Sequence, residues 1–384
     1  MINMPNILLI GATDRNVGKT TFACGMIKQT ATLSPVIALK ITVIKEKNGM
    51  CPRGGKGCGV CSSVDGNYMI TEELNTDTQK DTSKMLAAGA VKVLWLRVME
   101  HFMEEGVKAL LDCLGNSASL DSPIICESNS IRKVIDPGVF VVFNKKNDNY
   151  IKPSCSEVIK FADNIISFDP DTSNFNVAFD RFNFNDTGWT YKEKAAAIIL
   201  AGGVGQRFGS DKSMLPVNGK SMIEHIAGQL EPNFFQLLVG AGGTEDIQKF
   251  SFLGCDIIPD EKKGYGPLMG ILSCIEHSKR ELNFVVGCDI PNIDMLFVRK
   301  MLRETEGYDA IVPISADGLI EPLFAIYRRS TVTTHIRNIL YNSTERRIRA
   351  LFDRIETKYI KMDTESDRYI NINTKDDYNE FMNS

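Results

Sequence analysis

The chain has 384 residues, with 44 Lys and Arg against 48 Asp and Glu and a formal net charge of −4. That length predicts two domains, 43% hydrophobic residues suffice for ordinary cores, and the acidic balance leaves no polybasic footprint for nucleic acid. No apolar run reaches membrane-spanning length and Met1–Ile10 is too short and uncharged for a secretory signal, so a cytoplasmic protein acting on small molecules is expected, with neither nucleic acid nor membrane as a partner.

The first predicted strand, Asn6-Ile-Leu-Leu-Ile, runs into Gly11-Ala-Thr-Asp-Arg-Asn-Val-Gly-Lys-Thr-Thr21 and then a helical stretch. Strand, loop and helix in that order, with Gly18-Lys19-Thr20 at the helix start, are the end of a P-loop: backbone N–H groups for phosphates, Lys for the outer phosphates and Thr for Mg²⁺. Asn16, Gly18, Lys19, Thr20 and Thr21 are the candidate nucleotide contacts, with Thr20 the candidate Mg²⁺ ligand; the strict motif would have glycine where Thr13 stands. Short apolar runs at Val36–Leu39, Val91–Leu96, Pro123–Cys126 and Val139–Phe143 read as buried strands. Glu127, just past the third of these, reads either as an acid beside the Mg²⁺ or as an ordinary loop residue.

Between the P-loop and these later strands lies Cys51-Pro-Arg-Gly-Gly-Lys-Gly-Cys-Gly-Val-Cys61. Cys58 and Cys61 form a C-x2-C on a glycine-rich knuckle, with Cys51 upstream, and Arg53 and Lys56 favour thiolate. Three cysteines leave a tetrahedral metal site one ligand short, so metal or redox use stands beside unligated thiols as alternatives. Cys24, Cys113, Cys126, Cys155, Cys255, Cys274 and Cys288 sit in or beside apolar segments and are expected to be buried small hydrophobes.

The composition turns polar and turn-rich at 169–194, which is expected to be a connector between a first domain at 1–168 and a second at 195–384. Phe175, Phe179 and Phe182 recur in it at helical spacing, with Trp189 beyond, which predicts that part of it docks on one domain.

The second half repeats the strand-to-glycine-loop opening. Ala195–Leu200 enters a loop holding Gly202, Gly203, Gly205 and Gly209, with Arg207 and Lys212, that ends at Leu215-Pro216. Glycines let backbone approach a triphosphate and point N–H groups at its oxygens, Arg207 can fork two of them and Lys212 adds a point charge. Further strands are predicted at Gln236–Val239, Asp256–Ile258, Phe284–Gly287 and Ala310–Pro313, and a last one at Tyr369-Ile-Asn-Ile before a short helix. Alternating strands and helices in each half predict an α/β protein of two domains, each a mainly parallel sheet with flanking helices. In such sheets ligands bind beyond the carboxyl ends of the strands, where Asp260 and Asp289 fall. Asp289 is the candidate Mg²⁺ ligand, since that ion takes one or two carboxylates plus substrate phosphates. Taken alone, Asp289 also reads as a helix N-cap or a turn residue, Asp260 as a solvated loop acid, and Arg207 as a partner of Asp211.

Together these motifs resemble the nucleotidyltransferases that activate small molecules with NTP, and within them the molybdenum cofactor guanylyltransferase (MobA) family. Leu200-Ala-Gly-Gly203, Arg207-Phe-Gly209, Asp211-Lys212, Leu215-Pro216 and Gly219-Lys220 follow the family's first signature in order. Pro259-Asp260, Gly264-Tyr-Gly-Pro-Leu-Met-Gly-Ile271, Cys288-Asp-Ile-Pro291, Pro322-Leu-Phe-Ala-Ile-Tyr327 and Asn371-Ile-Asn-Thr374 follow the rest. The resemblance implies that Leu200, Ala201, Gly202 and Gly203 hold the guanine nucleotide, Lys212 its phosphates, Asp260 the nucleotide and Asp289 the Mg²⁺, with Arg207, Lys212 and Asp289 as the catalytic set. It implies GTP and Mo-molybdopterin as substrates. Where the family often has asparagine, after the strand at Leu237–Val239, this chain reads Gly240-Ala-Gly-Gly243, and no role is carried there.

The first half resembles dethiobiotin-synthetase-like P-loop proteins and the molybdopterin-guanine dinucleotide adaptor (MobB), although Lys40-Ile-Thr stands where the adaptor has Lys-His. The implied architecture is a P-loop NTPase-like domain followed by a Rossmann-like nucleotidyltransferase. Molybdoenzyme apo-proteins or their chaperones are then candidate partners. Cytidylyl transfer to the same pterin, sugar-phosphate nucleotidyl transfer and a non-catalytic cofactor-delivery adaptor are the competing readings.

Overall fold

A computed structural model describes residues 1–45, 64, 66–115, 122–202, 211–315, 317–343, 346–362 and 371–383. The chain divides into two compact units, Met1–Tyr191 and Lys192–Ser384. Gly203, Arg207 and the cysteines at 51, 58 and 61 lie outside the described residues.

In the first unit β1 (Ile2–Ala12), β2 (Ile37–Ile44), β3 (Tyr68–Glu72), β4 (Lys92–Met99), β5 (Ile124–Glu127), β6 (Ile135–Lys145), β7 (Asn164–Asp169) and β8 (Asn174–Phe175) form one sheet, ordered β3-β4-β2-β5-β1-β6-β7-β8. The pairs from β4 through β7 are parallel, while β3 and β8 close the edges antiparallel. Alternate residues of β1 feed two cores: Leu8, Ile10 and Ala12 on one face, Ile7 and Leu9 on the other. Helix α1 (Lys19–Thr30) covers the first face with Phe22, Ala23, Met26 and Ile27. Helix α2 (Asp81–Ala87) adds Met85 to the same side, and α3 (Met103–Gly115) covers the other with Val107, Leu110 and Leu114. A four-residue turn, α4 (Pro153–Ser156), follows β6.

The stretch after β7 differs from the helical spacing of its phenylalanines. It forms β8, a short 3₁₀ turn at Phe179–Arg181 and a hairpin of β9 (Phe182–Asn185) with β10 (Gly188–Tyr191). Phe22 gathers Phe143, Phe175, Phe179 and Phe182 around its ring at centroid distances of 4.9–5.5 Å. Burial of these rings outweighs the weak preference of an Asn-, Asp- and Phe-rich segment for helix.

In the second unit β11 (Glu193–Leu200), β14 (Phe234–Ala241), β15 (Asp256–Pro259), β16 (Leu282–Gly287), β17 (Ala310–Ile314), β18 (Phe324–Arg328) and β19 (Thr357–Lys361) form a sheet ordered β15-β14-β11-β16-β18-β17-β19; the ribbon of β12 (Pro216–Val217) and β13 (Lys220–Ser221) stands apart from it. The four strands around β11 are parallel and β18 runs antiparallel to both neighbours. Ala195, Ala197 and Ile199 face one core and Ala196 and Ile198 the other. Helix α5 (Met222–Leu230) opens on a capping box between Ser221 and Glu224, α6 (Asp246–Phe250) is short, and α7 (Pro267–His277) starts with Gly266 as N-cap and Pro267 in its first turn. Asp294, not Asp289, caps α8 (Met295–Arg303). Helices α5 and α8 cover the first face, whereas α7 and α9 (Arg329–Asn342) cover the second, giving the doubly wound arrangement expected. The short α10 (Arg349–Phe352) and α11 (Lys375–Asn383) complete the unit.

Two expectations are corrected here. The described part of the predicted strand at 369–372, Asn371 and Ile372, pairs with no strand and leads irregularly into α11. Cys126, Cys155 and Cys274 are buried and Cys24, Cys255 and Cys288 half-buried, but Cys113 is exposed on the outer side of α3, so an apolar neighbourhood in sequence did not place it inward. No helix among the described residues is long and apolar enough to cross a membrane.

Phe22 is fully buried at the centre of the aromatic cluster. Phe22→Ala is expected to destabilise the first unit by about 3–5 kcal/mol, read from its transition in chemical denaturation. A change under about 1 kcal/mol would show that the cluster collapses to fill the space.

Candidate active site

Three parallel strands end level with one another in the second unit. Leu200, the last residue of β11, pairs with Gly240 of β14 and Gly287 of β16. Beyond these ends lies a cavity of about 210 Å³ that contains Leu200, Gly202, Asp260, Lys212 and Asp289 among its walls. It is the crevice beyond the carboxyl ends of the strands where ligands of such sheets bind.

Glycines shape this cavity because neighbouring chain leaves no room for more. A Cβ on Gly202 would lie 2.5 Å from the Gly242 backbone nitrogen, so the two loops pass in near contact. Gly240 and Gly270 flank the Leu200 side chain, and a Cβ on them would stand 2.9 and 3.2 Å from its Cδ2. Gly240 therefore occupies its place by packing.

The charged groups sit at opposite ends. Asp260 follows β15, its N–H donating to the Ala241 carbonyl at 2.9 Å, and its carboxyl lies beside Gly270. Burial pushes its pKa up to about 6. At the other end the Lys212 ammonium is 4.0 Å from the Asp289 carboxylate and donates to Asn373 Oδ1 at 3.3 Å. Asp211 does not face the cavity. It caps the turn at Lys212–Met214 by accepting from the Ser213 N–H at 3.0 Å, and it pairs with Lys249, an arrangement that holds its pKa below the usual carboxylate range despite burial. Lys212 is thus presented by a turn that Asp211 fixes. Burial pushes the Cys288 thiol up, which keeps it protonated between Gly287 and Asp289.

Asp289 can contribute to a Mg²⁺ site. Among the described residues no group of three or more His, Cys, Asp or Glu is arranged to hold a metal. One partly exposed carboxylate facing a cavity, with the remaining ligands left to phosphate and water, is a donor set that suits Mg²⁺.

In the first unit the loop Thr13–Gly18 joins β1 to α1, with Asn16 and Gly18 at φ 53° and 78°. Lys19 turns back, donating to the Asp14 carbonyl at 3.4 Å, and burial lowers its pKa. Thr20 Oγ1 donates to Glu127 Oε1 at 2.9 Å, and Thr21 is exposed on the same helical turn. Lys40 stands level with Glu127 on the adjacent strand, 3.5 Å from its carboxylate, and also pairs with Asp81 at the start of α2. Glu127 is therefore a buried partner of the loop threonine, and Lys40 joins the cluster from the place where a histidine neighbour was missing. Asn129 clamps the end of β1 with both ends of its amide, accepting from the Ala12 N–H at 2.7 Å and donating to the Ala12 carbonyl at 2.9 Å.

The structure brings Leu200, Gly202, Lys212, Asp260 and Asp289 to one cavity. Ala201 lies behind its wall, 7% exposed, with its N–H on the Gly240 carbonyl. Gly203 and Arg207 fall outside the described residues, as do Cys51, Cys58 and Cys61. Sequence reasoning assigned no site role to Asn373, Lys249 or the walls at Gly240 and Leu323. The Asn371-Ile-Asn-Thr374 and Pro322-Leu-Phe-Ala-Ile-Tyr327 motifs were the available signals for Asn373 and Leu323, while Lys249 and Gly240 needed the fold.

Residues 197–358 match the family described as MobA-like NTP transferase domain. The chain is 32% identical over 189 residues to a probable molybdenum cofactor guanylyltransferase of Bacillus cereus, covering 48% of this chain and 93% of that one. It is 31% identical over 189 residues to a protein of the same description from Pelotomaculum thermopropionicum, covering 45% and 90%. Among solved structures, molybdopterin-guanine dinucleotide biosynthesis protein A of Archaeoglobus fulgidus is 27% identical with a TM-score of 0.43, covering 49% of this chain and 97% of that one.

Two outcomes test this geometry. A Cβ at position 287 would run into Asp289 Oδ1, so Gly287→Ala should lower ligand affinity at this cavity with little change in folding, read by calorimetric titration of nucleotide with Mg²⁺ alongside the melting temperature. Unaltered affinity would show that the carboxylate has freedom to move. For Asp260 the folded pKa is raised, so its charge costs stability at neutral pH. The proton-bound form is favoured in the fold below about pH 4, and that contribution is lost as pH rises through about 6. Asp260→Asn should raise the melting temperature of the second unit at pH 7.5, with the gain shrinking to nothing near pH 4; an equal gain at both pH values would contradict the burial.

Proposed function

Because the chain belongs, through residues 197–358, to the MobA-like NTP transferase family, we propose that its second unit transfers GMP from GTP to Mo-molybdopterin, giving the guanine dinucleotide form and pyrophosphate. The observation that carries this reading is the convergence of Lys212, Asp260 and Asp289 on one cavity beyond the ends of β11, β14, β15 and β16. Leu200, Gly202 and Asp260 form the end that takes the nucleoside, and Lys212 and Asp289 the end that takes its phosphates.

A phosphate oxygen of the pterin forms a bond to the α-phosphorus of GTP as the bond to pyrophosphate breaks. Such a monoester has its second pKa near about 6 and is mostly dianionic at neutral pH, so no base has to remove a proton. Among the described residues no histidine lines the cavity, in keeping with a site that works by positioning and charge neutralisation. Lys212 neutralises phosphate charge, held in place by Asn373 and by the Asp211-capped turn. Asp289 would hold a Mg²⁺, which when bound neutralises charge building on the leaving group.

The first unit is read as a GTP-binding adaptor domain. Its support is the strand–loop–helix geometry at Thr13–Thr20, with the Thr20 hydroxyl on buried Glu127 and Lys40 beside it. There Lys19 would meet the outer phosphates and Thr20 the Mg²⁺.

Purified protein is expected to release pyrophosphate from GTP only with both Mo-molybdopterin and Mg²⁺ present. Equal turnover with CTP would sink the guanylyl assignment. Asp289→Asn should lower kcat by about 10²–10³-fold while leaving the circular dichroism spectrum and melting temperature near those of the parent.

A further inference from the structure

Glu321 stands before β18, outside the cavity walls, yet its carboxylate joins segments distant in sequence. Its Oε2 accepts from Asn371 Nδ2 at 2.9 Å and its Oε1 from the Leu323 N–H at 3.4 Å. Its own N–H donates to the Pro313 carbonyl at 3.0 Å, and the Leu323 carbonyl accepts from the Gly287 N–H at 2.8 Å. The acid is thus tied to the strand end that leads into Asp289.

Residues 371–374 form a strap beside the phosphate end of the site. The Ile372 N–H donates to the Asp289 carbonyl at 2.8 Å, and its side chain is buried in the core beneath. Asn373 Oδ1 accepts from Lys212. The N–H groups of Asn373 and Thr374 donate to Asp377 Oδ2 at 2.8 and 2.7 Å, anchoring the strap to the first turn of α11. Consecutive residues of one segment therefore touch both Lys212 and Asp289, and Glu321 holds the neighbouring Asn371.

The spacing of the two charges gives this arrangement its use. Lys212 and Asp289 stand 4.0 Å apart, too far for a hydrogen-bonded ion pair, although opposite charges attract. A neutral amide acceptor on Lys212 keeps its ammonium from closing on Asp289 and leaves the carboxylate for a cation. Hydrogen bonds to an ionised acceptor are about twice as strong as neutral ones, which suits Glu321 to pinning the amide of Asn371.

We propose that Glu321 is a positioning residue for nucleotidyl transfer: by holding Asn371 it sets the strap that keeps Lys212 and Asp289 apart and in register for the triphosphate and Mg²⁺. This rests on the transferase reading of the second unit. In Glu321→Ala the strap loosens, Lys212 closes on Asp289 and competes with the cation for its carboxylate.

Two variants and two readouts test it on the full chain. In the absence of any ligand, hydrogen exchange at the Ile372 amide should quicken in Glu321→Ala and stay near the parent rate in Glu321→Gln, whose Oε1 still accepts from Asn371. In turnover with GTP, Glu321→Ala should raise half-saturating Mg²⁺ about tenfold and lower kcat/KM about 10- to 100-fold, a loss of the size that misplacement of reacting groups by about 1 Å produces. Glu321→Gln should recover most of both. Activity that falls only in proportion to folded protein, with half-saturating Mg²⁺ unmoved, overturns the proposal, as does unchanged exchange at Ile372. A parent protein that turns over no GTP defeats the transferase reading instead, and exchange at Ile372 still decides whether Glu321 sets the strap.

Discussion

The second unit depends on one registration: β11 lying parallel between β14 and β16 with Leu200 level with Gly240 and Gly287. A strand buried on both faces has to be apolar throughout, and the small side chains of Ala195, Ala196 and Ala197 let helices pack from either side. Parallel pairing then brings all three carboxyl ends to the same edge, where the chain must leave the sheet. A slip of one residue would turn Ile198 and Ile199 to the wrong cores and move Leu200 away from the glycines on either side of it. The cavity is a consequence of that register, and the glycines are a consequence of how closely the departing loops pass.

The same edge explains how two acids that line one cavity differ. Asp260 sits against Gly270, and burial raises its pKa. Asp289 lies next to Lys212, facing the same cavity. Asp211, adjacent to Lys212 in sequence, faces elsewhere and acts on the backbone of the turn and on Lys249. In a sequence the pair Asp211-Lys212 invites reading as two ligands of one substrate. In the fold the first residue shapes the turn and the second points at the site.

Much of this was legible in the chain before folding. Apolar runs in β1 and β11 and glycine loops after strands pointed to mainly parallel sheets with flanking helices, and acids at strand ends pointed to the edge where Leu200, Gly202, Lys212, Asp260 and Asp289 line one cavity. Other features were hidden for physical reasons. Phe175, Phe179 and Phe182 have helical spacing but pack as a hairpin and turn around Phe22, because aromatic burial outweighs local propensity. Short edge strands such as β3 and β19 hold only two or three apolar residues beside Thr, Lys or Glu, too short a run to mark a strand. Asn373 and Glu321 contribute through partners 161 and 50 residues away, a relation that composition and periodicity do not encode.

On the proposed reading both units present a lysine to phosphate, each from a neutral carbonyl oxygen, and they differ in the groups around it. In the first, Lys19 is folded back on the Asp14 carbonyl, Thr20 donates to Glu127, and Lys40 is paired with Asp81 and Glu127. A ligand entering there exchanges existing ion pairs for new ones, so much of its binding energy is offset by those it breaks. In the second, Lys212 rests on a neutral amide, and Asp289 keeps a carboxylate that Lys212 does not close upon. On that reading no ion pair has to break for Lys212 to meet an anion or for Asp289 to meet a cation, so the phosphate end of this cavity accepts the two together with little rearrangement. Preorganisation of that kind is what a site needs when its task is to stabilise charge and not to move protons. On the proposed reading it separates a centre suited to group transfer, in the second unit, from one suited to holding a nucleotide, in the first.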